Sequence, residues 1–96
     1  MAQQVTITTD AQIALKPLIE AALRSELRML ELSLQRTAQR LRAFEAQYGL
    51  ASDEFERRFN AGEVQESLEF IEWVGEIKTH RLLEAQRQAL QGVQLI

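Results

Sequence analysis

The stretch that constrains the fold most is residues 18–48. Its apolar side chains recur at alternating intervals of four and three residues, with one polar member, Thr37. The row consists of Leu23, Leu27, Leu30, Leu34, Thr37, Leu41, Phe44 and Tyr48. A row with this period faces one partner along a whole helix. At about 1.5 Å of rise per residue, the predicted helix is roughly 45 Å long.

A chain of 96 residues is short for a helix of that length. Small domains bury a smaller fraction of their surface than large ones, so their stability margin is thin, and association is the usual remedy. We therefore expect a homodimer and interpret the seven apolar members of the row as its seam. With 46% hydrophobic residues, the chain is too apolar for a disordered tail.

Composition excludes several classes of function. The chain contains no cysteine, so it has no disulfide, thiolate zinc site or thiol nucleophile. The net charge of −3 argues against bulk binding of nucleic acid by the whole chain. Neither a signal peptide nor a membrane-spanning run is visible in the sequence, so we expect a cytoplasmic protein that does not engage a membrane.

The first 16 residues are predicted to form an N-terminal arm. Residues 4–8 alternate apolar and polar side chains, which is typical of a short strand. Its partner would be either the same segment of a second subunit or residues 93–96, and the alternative is a frayed terminus. A short helix could also begin at Ala11, after the capping residues Thr8, Thr9 and Asp10. We expect the main helix to start at Pro17.

Three further signals place the remaining elements. Gly49 predicts the end of the main helix, because glycine tolerates the left-handed cap. Ser52 is the predicted N-cap of a short helix over residues 53–60, with Phe55 and Phe59 on one face. A last helix is predicted over residues 65–90, with Gly75 expected to allow a close helix approach or leave room for a bulky neighbour. Its apolar side chains form two stripes: Phe70, Trp73, Val74 and Ile77 in one, and Leu68, Ile71 and Leu82 in the other.

These elements predict an all-α fold. Two long helices joined by a short connecting helix return antiparallel as a hairpin. One hairpin leaves a face of each helix bare, and two hairpins together form a helical bundle. The predicted organisation is thus an N-terminal arm, residues 1–16, followed by a helical hairpin domain, residues 17–96.

An acidic row is the clearest charged feature of the last helix. Glu66, Glu69, Glu72 and Glu76 recur there at intervals of three and four residues. Such a row is either a docking stripe for a basic partner or a solvated face that pairs with Arg36 and Arg40.

Catalytic chemistry finds little support in the sequence. A magnesium site of the kind found in nucleotide pyrophosphohydrolases needs a second carboxylate pair on a facing helix, and the acids of the main helix are dispersed. His80, the only histidine, has no serine or cysteine partner at a recognisable spacing. We therefore predict no catalytic residue, no metal ligand and no cofactor, and keep the magnesium-dependent enzyme as a distant alternative.

The order of residues from 41 onward carries a family resemblance. The segments LRAFEAQYGL, SDEF, RF, AGE and EFIEW follow one another in residues 41–73. This order resembles the helical part of small bacterial and archaeal antitoxin-like proteins, which are encoded beside toxins. The resemblance covers roughly residues 18–85. Many such proteins begin with a ribbon-helix-helix, but its first helix has no room between Thr9 and Lys16, so DNA binding is not expected.

The resemblance implies a non-enzymatic protein that binds and neutralises a cognate toxin through its C-terminal helical region. The residues expected to bind the partner are Glu66, Glu69, Phe70, Glu72, Trp73, Glu76 and Ile77. Tryptophan is enriched among residues that dominate binding energy, and Trp73 is either such an anchor or a core residue. The alternative function is a self-associating structural protein without a toxin partner.

Overall fold

The computed structural model describes residues 3–10 and 14–95. In chain order, its elements are β1 (Gln3–Val5), α1 (Leu15–Tyr48), α2 (Ser52–Asn60), α3 (Leu68–Gln91) and β2 (Val93–Leu95). Ion pairs join Arg40 to Glu76 and Glu31 to Arg87, so α1 and α3 run antiparallel. The predicted helical hairpin with a short connecting helix is confirmed.

Helix α1 begins two residues before the predicted start, at Leu15. Pro17 is its third residue, where the backbone N–H has no partner within the helix, so the proline costs no hydrogen bond. The helix ends as predicted at Gly49, whose φ is 63°. The N–H groups of Gly49 and Leu50 both donate to the carbonyl of Glu45, at 2.8 and 3.3 Å. The alternative helix from Ala11 falls partly on residues 11–13, which lie outside the described residues.

Helix α2 begins one residue earlier than predicted, and Ser52 is not its N-cap. Ala51 occupies that position and offers no capping side chain. The carboxylate of Glu45 accepts the N–H of Ser52 at 2.8 Å instead. The acid at the end of α1 thus supplies the cap, and the Ser52 hydroxyl is left for another partner.

Helix α3 begins at Leu68, three residues later than predicted. The hydroxyl of Ser67 is its N-cap and accepts the N–H of Phe70 at 3.1 Å. The prediction for Gly75 is wrong, because a Cβ built there would meet no atom within 4 Å. Gly75 therefore faces open space, since the helix packs through its opposite side.

The two short strands pair in parallel, with Gln3 opposite Val93 and Val5 opposite Leu95. This confirms the predicted N-terminal strand and the alternative in which its partner is the C-terminal segment. The observed strand, Gln3–Val5, is shorter than predicted and starts one residue earlier. Both strands lie at the end of the hairpin opposite α2. The chain leaves that end through α1 and returns to it through α3, so β1 and β2 meet there.

Burial is concentrated towards the α2 end of the hairpin. The buried cluster consists of Phe55, Trp73, Val74 and Ile77, and the partly buried side chains packed against it are Leu41, Phe44, Leu50, Phe59, Val64 and Phe70. We call this region the closed end. Leu30, Leu34 and Thr37 are buried farther along α1. No described residue before Leu30 is buried, and we call the other end, formed by β1, β2 and residues 15–25 of α1, the open end.

The predicted seam is covered in its middle by the chain itself. Leu30 and Leu34 are each 5% exposed, and Leu41 and Phe44 pack against the core beside α3. The expectation that this part of the row needs a second chain is therefore wrong, because the 24 residues of α3 reach about 36 Å along α1. Leu23 and Leu27 are only half-buried.

Candidate partner-binding surface

Trp73 fixes the start of α3 in place. Its side chain is fully buried, with 0% exposure. The indole is stacked between the ring of Phe55, at 3.8 Å between centroids, and the ring of Phe44, at 5.3 Å. Tyr48 stacks against it at 5.6 Å. Because α1, α2 and α3 each contribute a ring, the first turns of α3 are rigidly held.

A short chain of hydrogen bonds ties the same three helices together. The indole N–H of Trp73 donates to the hydroxyl of Ser52 at 3.0 Å, in a buried position. The N–H of Ser52 in turn donates to the carboxylate of Glu45 at 2.8 Å. A buried indole N–H needs such an acceptor, since an unpaired donor costs about 1–3 kcal/mol. The bond from Trp73 explains why Ser52 points inward.

Charged contacts hold α2 against α3 from outside. A nitrogen of the Arg81 guanidinium lies 2.8 Å from a carboxylate oxygen of Glu56, and this bond lowers the pKa of Glu56. Within α2, Glu54 accepts hydrogen bonds from both Arg57 and Arg58, which hold the pKa of Glu54 at about 2.

The apolar residues expected to bind a partner lie mainly inside the chain. Trp73 is completely buried and Ile77 is 6% exposed. Phe70 is half-buried and packs edge-on against Tyr48 at 5.1 Å. In this structure Trp73 and Ile77 offer no surface to a partner, because the stripe that contains them is the one that packs against α1 and α2.

The four acids of the predicted row have different surroundings. Glu76 forms an ion pair with Arg40 at 3.0 Å, as the alternative interpretation of the row expects. The carboxylate of Glu69 interacts with the hydroxyl of Tyr48 and raises the pKa of Tyr48. Glu66 and Glu72 are exposed and form no ion pair with any described residue. Only these last two offer an uncommitted negative charge to a partner.

The exposed apolar side chains of α3 lie on its other stripe. Leu68 is 75% exposed, Ile71 is 51% exposed and Leu82 is 59% exposed. With Gly75 and Lys78, these residues repeat at intervals of three and four, so they share one side of the helix, which we call the outer face of α3. The sequence distinguishes this stripe from the buried one, but the prediction assigns partner binding to the buried stripe. The spacing of three and four residues between the outer side chains was the signal that could have identified them as a separate face.

Between α1 and α3 lies a groove beside the acidic row, with a volume of about 360 Å³. Its lining consists of Arg40, Ala43, Phe44, Gln47, Glu72 and Glu76. One oxygen of Glu76 is buried there without a hydrogen-bond partner among the described residues. The exposed carboxylate of Glu72 is therefore the charge that this groove offers, because the unpaired oxygen of Glu76 is buried.

The described residues contain no group of histidine, aspartate and glutamate side chains that could hold a metal ion. His80 lies 3.7 Å from the carboxylate of Glu84 on the next turn and is about one quarter exposed. Within the described ranges, no helix is long and apolar enough to cross a bilayer.

Comparison with known proteins gives no relative for this chain. It matches no protein-family profile, no curated protein and no solved structure.

Proposed function

We propose that this chain is a non-enzymatic, antitoxin-like protein that binds and neutralises a basic toxin through the outer face of α3. The observation that carries the proposal is the exposure of Leu68 and Ile71 beside Glu66 and Glu72. Burial of an apolar side chain in an interface contributes about 1.5–3 kcal/mol, and charges around it steer the approach of a partner. The resemblance of residues 41–73 to antitoxin-like proteins supports a toxin as that partner.

The proposal moves the binding surface from the buried stripe to the exposed one. Trp73 then acts indirectly, because it holds the turns that carry Leu68 and Ile71 against α1 and α2. A binding surface on a pre-organised helix loses little conformational entropy when a partner docks. Glu66 and Glu72 retain their predicted role, while Glu76 and Glu69 are already committed to Arg40 and Tyr48.

The test is capture of the product of the adjacent gene, measured as a dissociation constant. Ile71→Ala should weaken binding by about tenfold or more, since full burial of an isoleucine side chain contributes about 1.5–3 kcal/mol and tenfold corresponds to about 1.4 kcal/mol. Glu72→Lys should slow association and reduce its dependence on salt. The matched control is Glu26→Lys, which makes the same charge change at an exposed position far along α1.

All three variants lie at exposed positions, so circular dichroism should show unchanged helix content. Co-expression gives a second readout, because the unmodified chain should relieve growth arrest by the neighbouring toxin and Ile71→Ala should relieve it less. If the neighbouring product does not bind, or is not toxic, the structural alternative replaces the antitoxin proposal. If Glu26→Lys weakens binding as much as Glu72→Lys, the surface has been placed wrongly.

A further inference from the structure

Helix α1 extends well past the end of α3. The ion pairs Arg40–Glu76 and Glu31–Arg87 fix the register of the two helices, and they place Gln91, the last residue of α3, beside about residue 26 of α1. Residues 15–25 therefore project beyond the packed part of the hairpin. At about 1.5 Å per residue, this overhang is roughly 16 Å long.

The overhang continues the apolar side of α1 with only partial cover. Leu15, Ile19 and Leu23, followed by Leu27 just beyond the overhang, recur every four residues on the side that is buried farther along, at Leu30. All four are half-buried, and Leu18 beside them is 56% exposed. The β1–β2 sheet lies at the same end, but each strand has only three residues, so this side of the helix is incompletely covered.

The chain exposes more surface than its mass requires. Its accessible area is 7127 Å², whereas a compact chain of 11.0 kDa would expose about 5,600 Å². The excess of roughly 1,500 Å² is more than the ~800 Å² that each partner contributes to a standard interface. The radius of gyration of 18.7 Å also exceeds the ~12.5 Å of a compact domain of this length.

We propose that two copies of this chain associate through their overhangs, with the first three turns of α1 from each copy lying antiparallel against the other. This surface lies at the end of the hairpin opposite to α2, so it leaves the outer face of α3 at Leu68 and Ile71 free for another partner. The arrangement extends the existing α1–α3 seam, with the other copy's overhang completing the partial cover beyond the end of α3.

The sequence of the overhang is complementary to itself in this arrangement. With Ile19 on the two-fold axis, Leu15 of each copy meets Leu23 of the other, so the apolar row closes reciprocally. Lys16 then lies within about one turn of Glu20 of the other copy, on the same side of the seam. Both side chains are well exposed in the single chain, at 64% and 44%, and their own separation is 4.0 Å. Each Lys16 thus gains an opposite charge of the second copy, and these two attractions outnumber the single repulsion between the two Glu20 carboxylates, which come equally close across the axis.

Sedimentation or light scattering of the full chain over a concentration series tests the proposal. The expected mass is about twice 11.0 kDa. Ile19→Glu should raise the dissociation constant of the dimer by about tenfold or more, because it places two like charges at the two-fold axis. Circular dichroism should show that helix content is retained.

A charge exchange gives a second, independent measurement. Lys16→Glu alone should weaken the dimer, since it sets two acids against each other, and Lys16→Glu with Glu20→Lys should restore it. The control Leu82→Asp lies on the outer face of α3, at 59% exposure, and should leave the mass unchanged. A single-chain mass at all concentrations, or a dimer that Leu82→Asp disrupts and Ile19→Glu does not, would overturn the proposal.

Discussion

At the closed end of the hairpin, a fully buried indole lies between two other rings and donates a hydrogen bond to a serine on another helix. At the open end, aliphatic side chains lie along a single helix, accompanied by two strands of three residues. Both ends are apolar, but only the closed end has three helices that converge on one point. Burial in this chain therefore depends on how many elements meet, and less on how apolar each element is.

The two ends of the hairpin therefore contribute different properties to the protein. The closed end supplies the stability of the single chain, because rings that bury a large area are packed there on all sides. The open end retains apolar surface that the chain cannot cover alone. Under the two proposals made above, the closed end would present the outer face of α3 to a toxin, and the open end would join two copies of the chain.

The largest expected effect is a difference between the two ends in how far a truncated side chain lowers the free energy of unfolding. Trp73→Ala should lower the free energy of unfolding by about 3–5 kcal/mol, because it leaves a cavity and unpairs the buried Ser52 hydroxyl. Leu23→Ala, at a half-buried position of the open end, should lower the free energy of unfolding by only about 1 kcal/mol. Urea denaturation followed by circular dichroism measures both, in the Ile19→Glu background so that association does not contribute. Equal losses would mean that the two ends are equally packed in solution.

A smaller, stabilising effect is expected on the outer face of α3. Gly75→Ala should raise the free energy of unfolding by about 1 kcal/mol, because glycine is a poor helix former and no atom lies within 4 Å of the new Cβ. Gly49→Ala is the matched control and should destabilise the chain, since φ is 63° there. Destabilisation by Gly75→Ala would show that the outer face of α3 is covered in solution and not exposed.

The smallest expected effect is on the stability of the fold at acid pH, and it involves Glu54 of α2, at the closed end. The pKa of Glu54 is about 2 in the folded chain, below its ordinary value of 4.5, because Arg57 and Arg58 bond to its carboxylate. This depressed pKa stabilises the fold above pH 4.5, and the contribution is lost as pH falls through about 2. Glu54→Gln should therefore narrow the difference in stability between pH 6 and pH 2. Acid denaturation of the two proteins measures it, and identical acid profiles would contradict this role of Glu54.

Much of the fold follows from local patterns in the sequence. The leucine row predicts α1, Gly49 predicts its end, and the pair Phe55 and Phe59 predicts the inward face of α2. The source of cover for the row could not be predicted, because periodicity shows that a helix has a partner and does not show which chain supplies it. The structure assigns the middle of the row to α3.

The candidate site was harder to predict than the fold. Both stripes of α3 are apolar, and the choice between Trp73 and Ile71 as the exposed residue depends on where α2 lies. The role of Ser52 also left no local signal, since its partner is 21 residues away in sequence. A helix start and a buried acceptor favour the same kind of residue, so Ser52 was interpreted as a cap.

The position of the indole also determines what light spectroscopy can observe in this protein. The chain has a single tryptophan, and it is enclosed at the closed end against Ser52 and Phe55. The fluorescence emission of Trp73 therefore reports whether the three helices remain assembled around the indole. The emission does not change when the strands or the first turns of α1 fray. A fluorescence-detected melting curve would describe one half of the molecule.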